Sequence, residues 1–150
     1  MISRQLLQRA RKSLDGSRRQ KSVELRRAIS DAYYALFHAI ARSNADALIG
    51  STRRASQPWS NFYRALNHGQ AKDAFKKKGK DVNFASISTA FIDLQAARHT
   101  ADYDPNNVYK RRADVEALIV LAENAILEID ALDSNKMKEM AAFLLTKDRA

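Results

Sequence analysis

The chain has 150 residues, 45% of them hydrophobic, and a formal net charge of +9. That length suits one domain with a real hydrophobic core, and the apolar content excludes a disordered tail. With no cysteine there are no disulfides, thiolate metal sites or cysteine nucleophiles.

Four glycines and two prolines leave few sharp turns, and β-branched residues never alternate in runs. The pattern predicts an all-α, up-and-down bundle of about five to six helices, a single domain over 1–150. No stretch approaches the roughly 20 apolar residues that cross a bilayer. The expectation is a cytoplasmic protein of bacterial type, with no membrane partner and no cofactor.

In chain order, a first helix is expected over about 3–14, with Ser3 as N-cap and Asp15-Gly16 as the break. Its stretch "MISRQLLQRARKSL" is amphipathic and Arg-rich, like an organelle transit peptide. It is read as helix because it runs straight on into similar sequence. A second helix, about 17–45, carries Leu25, Ile29, Ala32, Tyr33, Leu36, Phe37 and Ile40 on one face. Asp31, Tyr34, Ala35 and His38 lie opposite. A helix this apolar around its circumference is buried on both sides. It is therefore central, or its second face meets another subunit in a homodimer built around Asp31, Tyr34 and His38.

"GSTRRASQPW" reads as a basic loop, after which Pro58 starts a helix at its first position. The aromatics of "PWSNFYRAL" read mostly as core. Asn67 and Gln70 form a cap with a return glutamine, opening a short helix to about Lys77, and "KKKGKD" is a loop. The next helix, about 83–103, ends before Pro105. Another, about 108–132, shows Val115, Leu118, Ile119, Ala122, Ile126 and Ile129 on one face. Ser134 caps a last helix bearing Met137, Met140, Phe143 and Leu144.

Charge is unevenly spread. Residues 1–27 carry +7 and residues 51–80 carry +7, while the remaining stretches are slightly acidic. Two basic clusters suit nucleic acid better than a diffuse excess does, and they equally suit solvated helix faces. The candidate RNA contacts are Arg53, Arg54, Arg64, Lys76, Lys77 and Lys78. Tyr33, Tyr34, Trp59, Phe62 and Tyr63 are the rings available for stacking on bases.

The densest chemistry is in "RHTADYDP", residues 98–105. Counting back from Arg98 gives Leu94, Phe91, Ile87 and Phe84, so Arg98 lies in the middle of an apolar stripe. An arginine placed there without a partner costs several kcal/mol. Asp102, one turn on, and Asp31, on the second helix, are the two candidate partners. His99 and Tyr103, four apart, project together on a flank. On spacing alone such a cluster reads as an ion pair that fixes the register of two helices.

Together, "RRAISDAYYALFHAI" and "RHTADYDP" about sixty residues later resemble the HEPN superfamily of small helical bundles. The closest resemblance is to the bacterial subgroup with a Tyr-Tyr-Ala-x-Phe-His-Ala run and a later Arg-x-x-Ala-Asp-Tyr. The resemblance covers about 5–132, leaving the final helix, 134–150, outside. It implies a bundle of about five helices, commonly a dimer packed through the motif-bearing helices. Many members are metal-independent endoribonucleases, or toxins paired with a small nucleotidyltransferase. Others bind RNA or a protein partner without catalysis.

The resemblance assigns candidate catalytic roles to Arg98, Asp102, Tyr103, Asp31 and His38. It also shows a departure. The family signature is Arg, four to six residues, then His, and the expected histidine position holds Tyr103. Metal-free RNA cleavage needs a group to take the 2′-hydroxyl proton and a cation to steady the phosphate. Arginine suits the second role through its fork. Tyrosine, with a pKa of about 10, is a poor base where histidine is a good one. Of the chain's three histidines, His38 is the one placed to approach Arg98 across a helix pair. No metal-binding spacing and no Gly-rich phosphate loop is present.

Overall fold

A computed structural model of the chain describes residues 2–15, 22–79, 81–104 and 111–147. These form seven α-helices, with a 3-10 turn at Ser51–Arg53 and no strand. The helices are α1 (Ile2–Asp15), α2 (Ser22–Leu48), α3 (Gln57–Arg64), α4 (His68–Lys78), α5 (Ala85–Tyr103), α6 (Arg112–Asp130) and α7 (Ser134–Leu145). Each matches a helix taken in chain order from the sequence, and together they exceed by one the bundle count of five to six. The break at Gly16 and the start of the sixth helix near 108, with Pro105, lie outside the described residues.

The chain divides into two compact units, residues 1–38 with 90–125 and residues 39–89 with 126–150. The first unit takes its core from the stripes read in the sequence. Tyr33, Ile29, Leu36, Phe91, Leu94, Ile119 and Leu14 are fully buried. At about 25 cal/mol per Å² of apolar surface, each such side chain contributes about 1.5–3 kcal/mol. Tyr33 meets Phe91 with ring centroids 5.6 Å apart, joining α2 to α5. Arg26 donates to the Ala101 carbonyl at 3.1 Å, satisfying one of the acceptors left over at the C-terminus of α5. Arg11 on α1 reaches Glu116 and Glu123 on α6.

In the second unit Phe143 of α7 lies edge-on to Phe75 and Phe84, at 5.8 and 5.3 Å. Met140, Ala141 and Leu144 are buried beside it, so α7 is part of this unit's core. Gly50, at φ 117, turns the chain after α2. Only glycine adopts that backbone region readily.

Four local expectations are corrected. Ser3 is inside α1 and buried, because the helix already begins at Ile2. Asp133, whose carboxylate accepts from Lys136 N, caps α7 in place of Ser134. Asn67 does cap α4, but the Gln70 side chain donates to the Leu144 carbonyl, so the reciprocal half of the box is not made. Lys76–Lys78 form the last turn of α4, where cations complement the helix dipole. A larger correction concerns α3. Ser56 caps it, Pro58 sits in its first turn, and none of its residues is buried, so its aromatics lie at the margin of the core, with Trp59 and Tyr63 half-buried and Phe62 exposed.

Candidate functional site

Arg98 gathers the site in the first unit. Its side chain is 17% exposed, as expected from its place below Leu94 and Phe91 on α5. The guanidinium carbon lies 5.2 Å from the Tyr33 ring centre and 5.5 Å from that of Tyr34. Both are within the range at which an aromatic face attracts a cation. Nη1 donates to the Tyr34 hydroxyl at 3.2 Å and lies 3.5 Å from Asp102 Oδ2. Nε is buried with no hydrogen-bond partner.

Asp31 is elsewhere, and the alternative pairing with Arg98 is corrected. Arg9 donates its Nε and Nη2 to Oδ2 and Oδ1 of Asp31 at 2.8 and 2.6 Å. The Asp31 side chain is 5% exposed and that of Arg9 60%. This forked pair ties α1 to α2, and no spacing in the sequence announces a partner 22 residues away. On the second face of α2, Asp31 and Ala35 are buried while Tyr34 and His38 are half-buried.

His38 flanks Tyr34 and Phe37, with ring centroids at 6.3 and 5.9 Å. Tyr34 thus borders both Arg98 and His38. Burial pulls the His38 pKa down, which keeps the ring neutral near pH 7. Burial pushes the Tyr33 hydroxyl well above the ordinary phenol range, against the opposing charge of Arg98, so Tyr33 does not serve as a base. Tyr103 is 66% exposed and packs against His99 at 4.9 Å, as their spacing predicts. From the sequence Tyr33 reads as core and as one of the rings available for stacking; its place against the guanidinium has no signal beyond its position one residue before Tyr34.

The other candidates belong to the second unit. Arg53, Arg64, Lys76, Lys77 and Lys78 are exposed. Arg54 is committed to Asp46 by two hydrogen bonds of 3.1 and 2.8 Å, which removes it from the set of uncommitted phosphate contacts. Trp59 Nε1 donates to the same carboxylate at 2.9 Å. A cleft of about 430 Å³ is lined by Asn67, Asp73, Lys77, Lys78, Phe143 and Lys147, among others. Among the described residues no group of three or more His, Asp or Glu side chains is arranged to hold a metal ion, and no helix is long and apolar enough to cross a membrane.

No family model matches the sequence, and no curated protein or solved structure does either.

Proposed function

We propose that this chain is a HEPN-like, RNA-directed protein of a bacterial defence or toxin–antitoxin setting, with Arg98 as the phosphate contact. The carrying observation is the contrast between two arginines of one unit. Arg9 closes a short, forked pair on a buried carboxylate, the geometry of an architectural bond. Arg98 makes one hydrogen bond to a neutral hydroxyl and a single 3.5 Å approach to a partly exposed aspartate. Its fork is oriented by aromatic rings and not consumed by a carboxylate, which leaves donor capacity for phosphate oxygens.

Tyr103 is exposed beside His99, and a phenol is a poor base near pH 7. Wild-type metal-independent cleavage is therefore weak or absent. His38, neutral near pH 7 and bordering Tyr34, is the next candidate base. The missing base also favours a second reading, in which the chain is a non-catalytic module that dimerises or binds a partner such as a nucleotidyltransferase. The deciding experiment is incubation of RNA with the protein in the presence of chelator, comparing wild type with Arg98→Ala. RNA retention or cleavage that depends on Arg98 supports the first reading. RNA indifference in both proteins sinks it in favour of the second.

A further inference from the structure

Helix α3 is an amphipathic segment whose aromatic side is only partly covered: Trp59 and Tyr63 are half-buried, Phe62 is exposed, and no residue of the helix is buried. Trp59 and Tyr63 stack with centroids 5.1 Å apart and planes at 27°. This half-buried pair is anchored by side-chain hydrogen bonds. The Trp59 Nε1–H bonds Asp46 Oδ1, and the forked guanidinium of Arg54 donates to both oxygens of the same carboxylate. Arg42 approaches it at 3.7 Å. Burial alone would raise the Asp46 pKa, but the hydrogen bonds from Arg54 and Trp59 and the two arginine charges outweigh it. The carboxylate stays ionised and the indole stays in place.

Charge along this part of the sequence is one-sided. Residues 51–80 hold eight Lys and Arg against one acid. Arg53, in the turn just before the Ser56 cap, and Arg64, at the last position of α3, bracket the rings along the chain and are exposed. Neither makes an ion pair with another described residue. A second copy of the chain would bring a second basic face against the first, which opposes self-association here. A ligand with flat rings and a repeating negative charge fits both features.

We propose that the Trp59–Tyr63 stack, with Phe62, is a base-stacking platform for single-stranded RNA, with Arg53 and Arg64 as its phosphate contacts and Arg54 and Asp46 as positioning residues. The choice of RNA rests on the functional reading above. The platform itself is argued from a different unit and different residues. Stacking tolerates any base, so the surface recognises an unpaired strand and not a sequence.

Trp59 is the single tryptophan of the chain, so intrinsic fluorescence reports directly on this site. Titration of the full-length protein with oligouridylate should quench Trp59 emission, and the same strand in a duplex should quench it far less. Labelled oligouridylate should bind Trp59→Ala roughly tenfold or more weakly, with Trp59→Phe restoring part of the loss. Surface variants with no folding role, Arg53→Gln with Arg64→Gln, should keep the quenching and flatten the salt dependence by about 0.7 per lost contact. Quenching should also persist in Arg98→Ala, whatever that variant does to cleavage. Unchanged emission while labelled RNA binds overturns the platform and leaves the Arg98 reading intact. Equal quenching by duplex, stronger quenching by a matching DNA strand, or a change in emission with protein concentration alone also overturns it.

Discussion

Arg98 donates a hydrogen bond to the hydroxyl of Tyr34 across 64 residues of sequence, at 3.2 Å, with the Tyr33 and Tyr34 rings beside its guanidinium. The charge is held by a neutral acceptor and two π faces, with Asp102 at a longer distance. Truncating Arg98 to alanine therefore costs about 1–3 kcal/mol of stability, the sum expected of one hydrogen bond and a desolvated cation–π contact. A fully buried ion pair broken on one side would cost about 3–5 kcal/mol, and urea unfolding separates the two cases.

Arg98→Lys retains the charge and loses the fork. The protein should remain folded, as circular dichroism would show, while RNA affinity falls roughly tenfold, the worth of a charge-assisted hydrogen bond. Tyr34→Phe should weaken RNA binding in the same direction, because the guanidinium loses the hydroxyl that orients it. An Arg98→Lys protein that binds RNA as tightly as wild type would assign Arg98 to the fold alone.

Tyr103→His recreates the Arg-x-x-x-x-His spacing at an exposed position, where the new side chain meets no packing constraint. Chelator-resistant cleavage should appear or rise, and adding Arg98→Ala to the same protein should remove it. If the folded variant fails to cut while wild type does cut, the base is elsewhere, and His38→Ala becomes the informative change.

The Arg9–Asp31 pair is lopsided, with an exposed arginine on a buried carboxylate. Arg9→Ala leaves that carboxylate without its fork and should cost about 1–3 kcal/mol. Asp31→Ala releases an arginine that water already reaches, so it should cost less, about 0.5–1.5 kcal/mol. Chemical denaturation of the two single variants reads the order directly. The reverse order would show that the pair is held by the solvent-exposed partner.

His38 makes stability depend on pH in a definite direction. Burial lowers its folded pKa below the unfolded value of about 6.5. Between those two values the unfolded chain binds more protons than the folded one, so stability rises with pH. The contribution is complete above about 6.5 and is lost as pH falls toward the folded pKa. Thermal unfolding followed from pH 8 to 5 should show a decline on the acid side that is smaller in His38→Gln. An identical decline in both proteins would assign the pH dependence to other groups.

Much of the all-α reading was legible in the residues. The buried stripe Phe84, Ile87, Phe91 and Leu94, the inward place of Arg98, the side-by-side His99 and Tyr103 and the Asn67 cap all follow from the helical repeat and local hydrogen bonding. Each concerns one helix and its own axis, and the backbone alone sets those directions at about 100° per residue. The partners were a different matter. The choice of Arg9 over Arg98 for Asp31, the turning of Arg98 to Tyr34, and the only partial burial of the α3 aromatics that read as core in the sequence were decided by tertiary structure. Periodicity says which way a side chain leaves its own helix. Which atoms it meets depends on the register and spacing of another helix dozens of residues away, and those come from packing the whole unit at once.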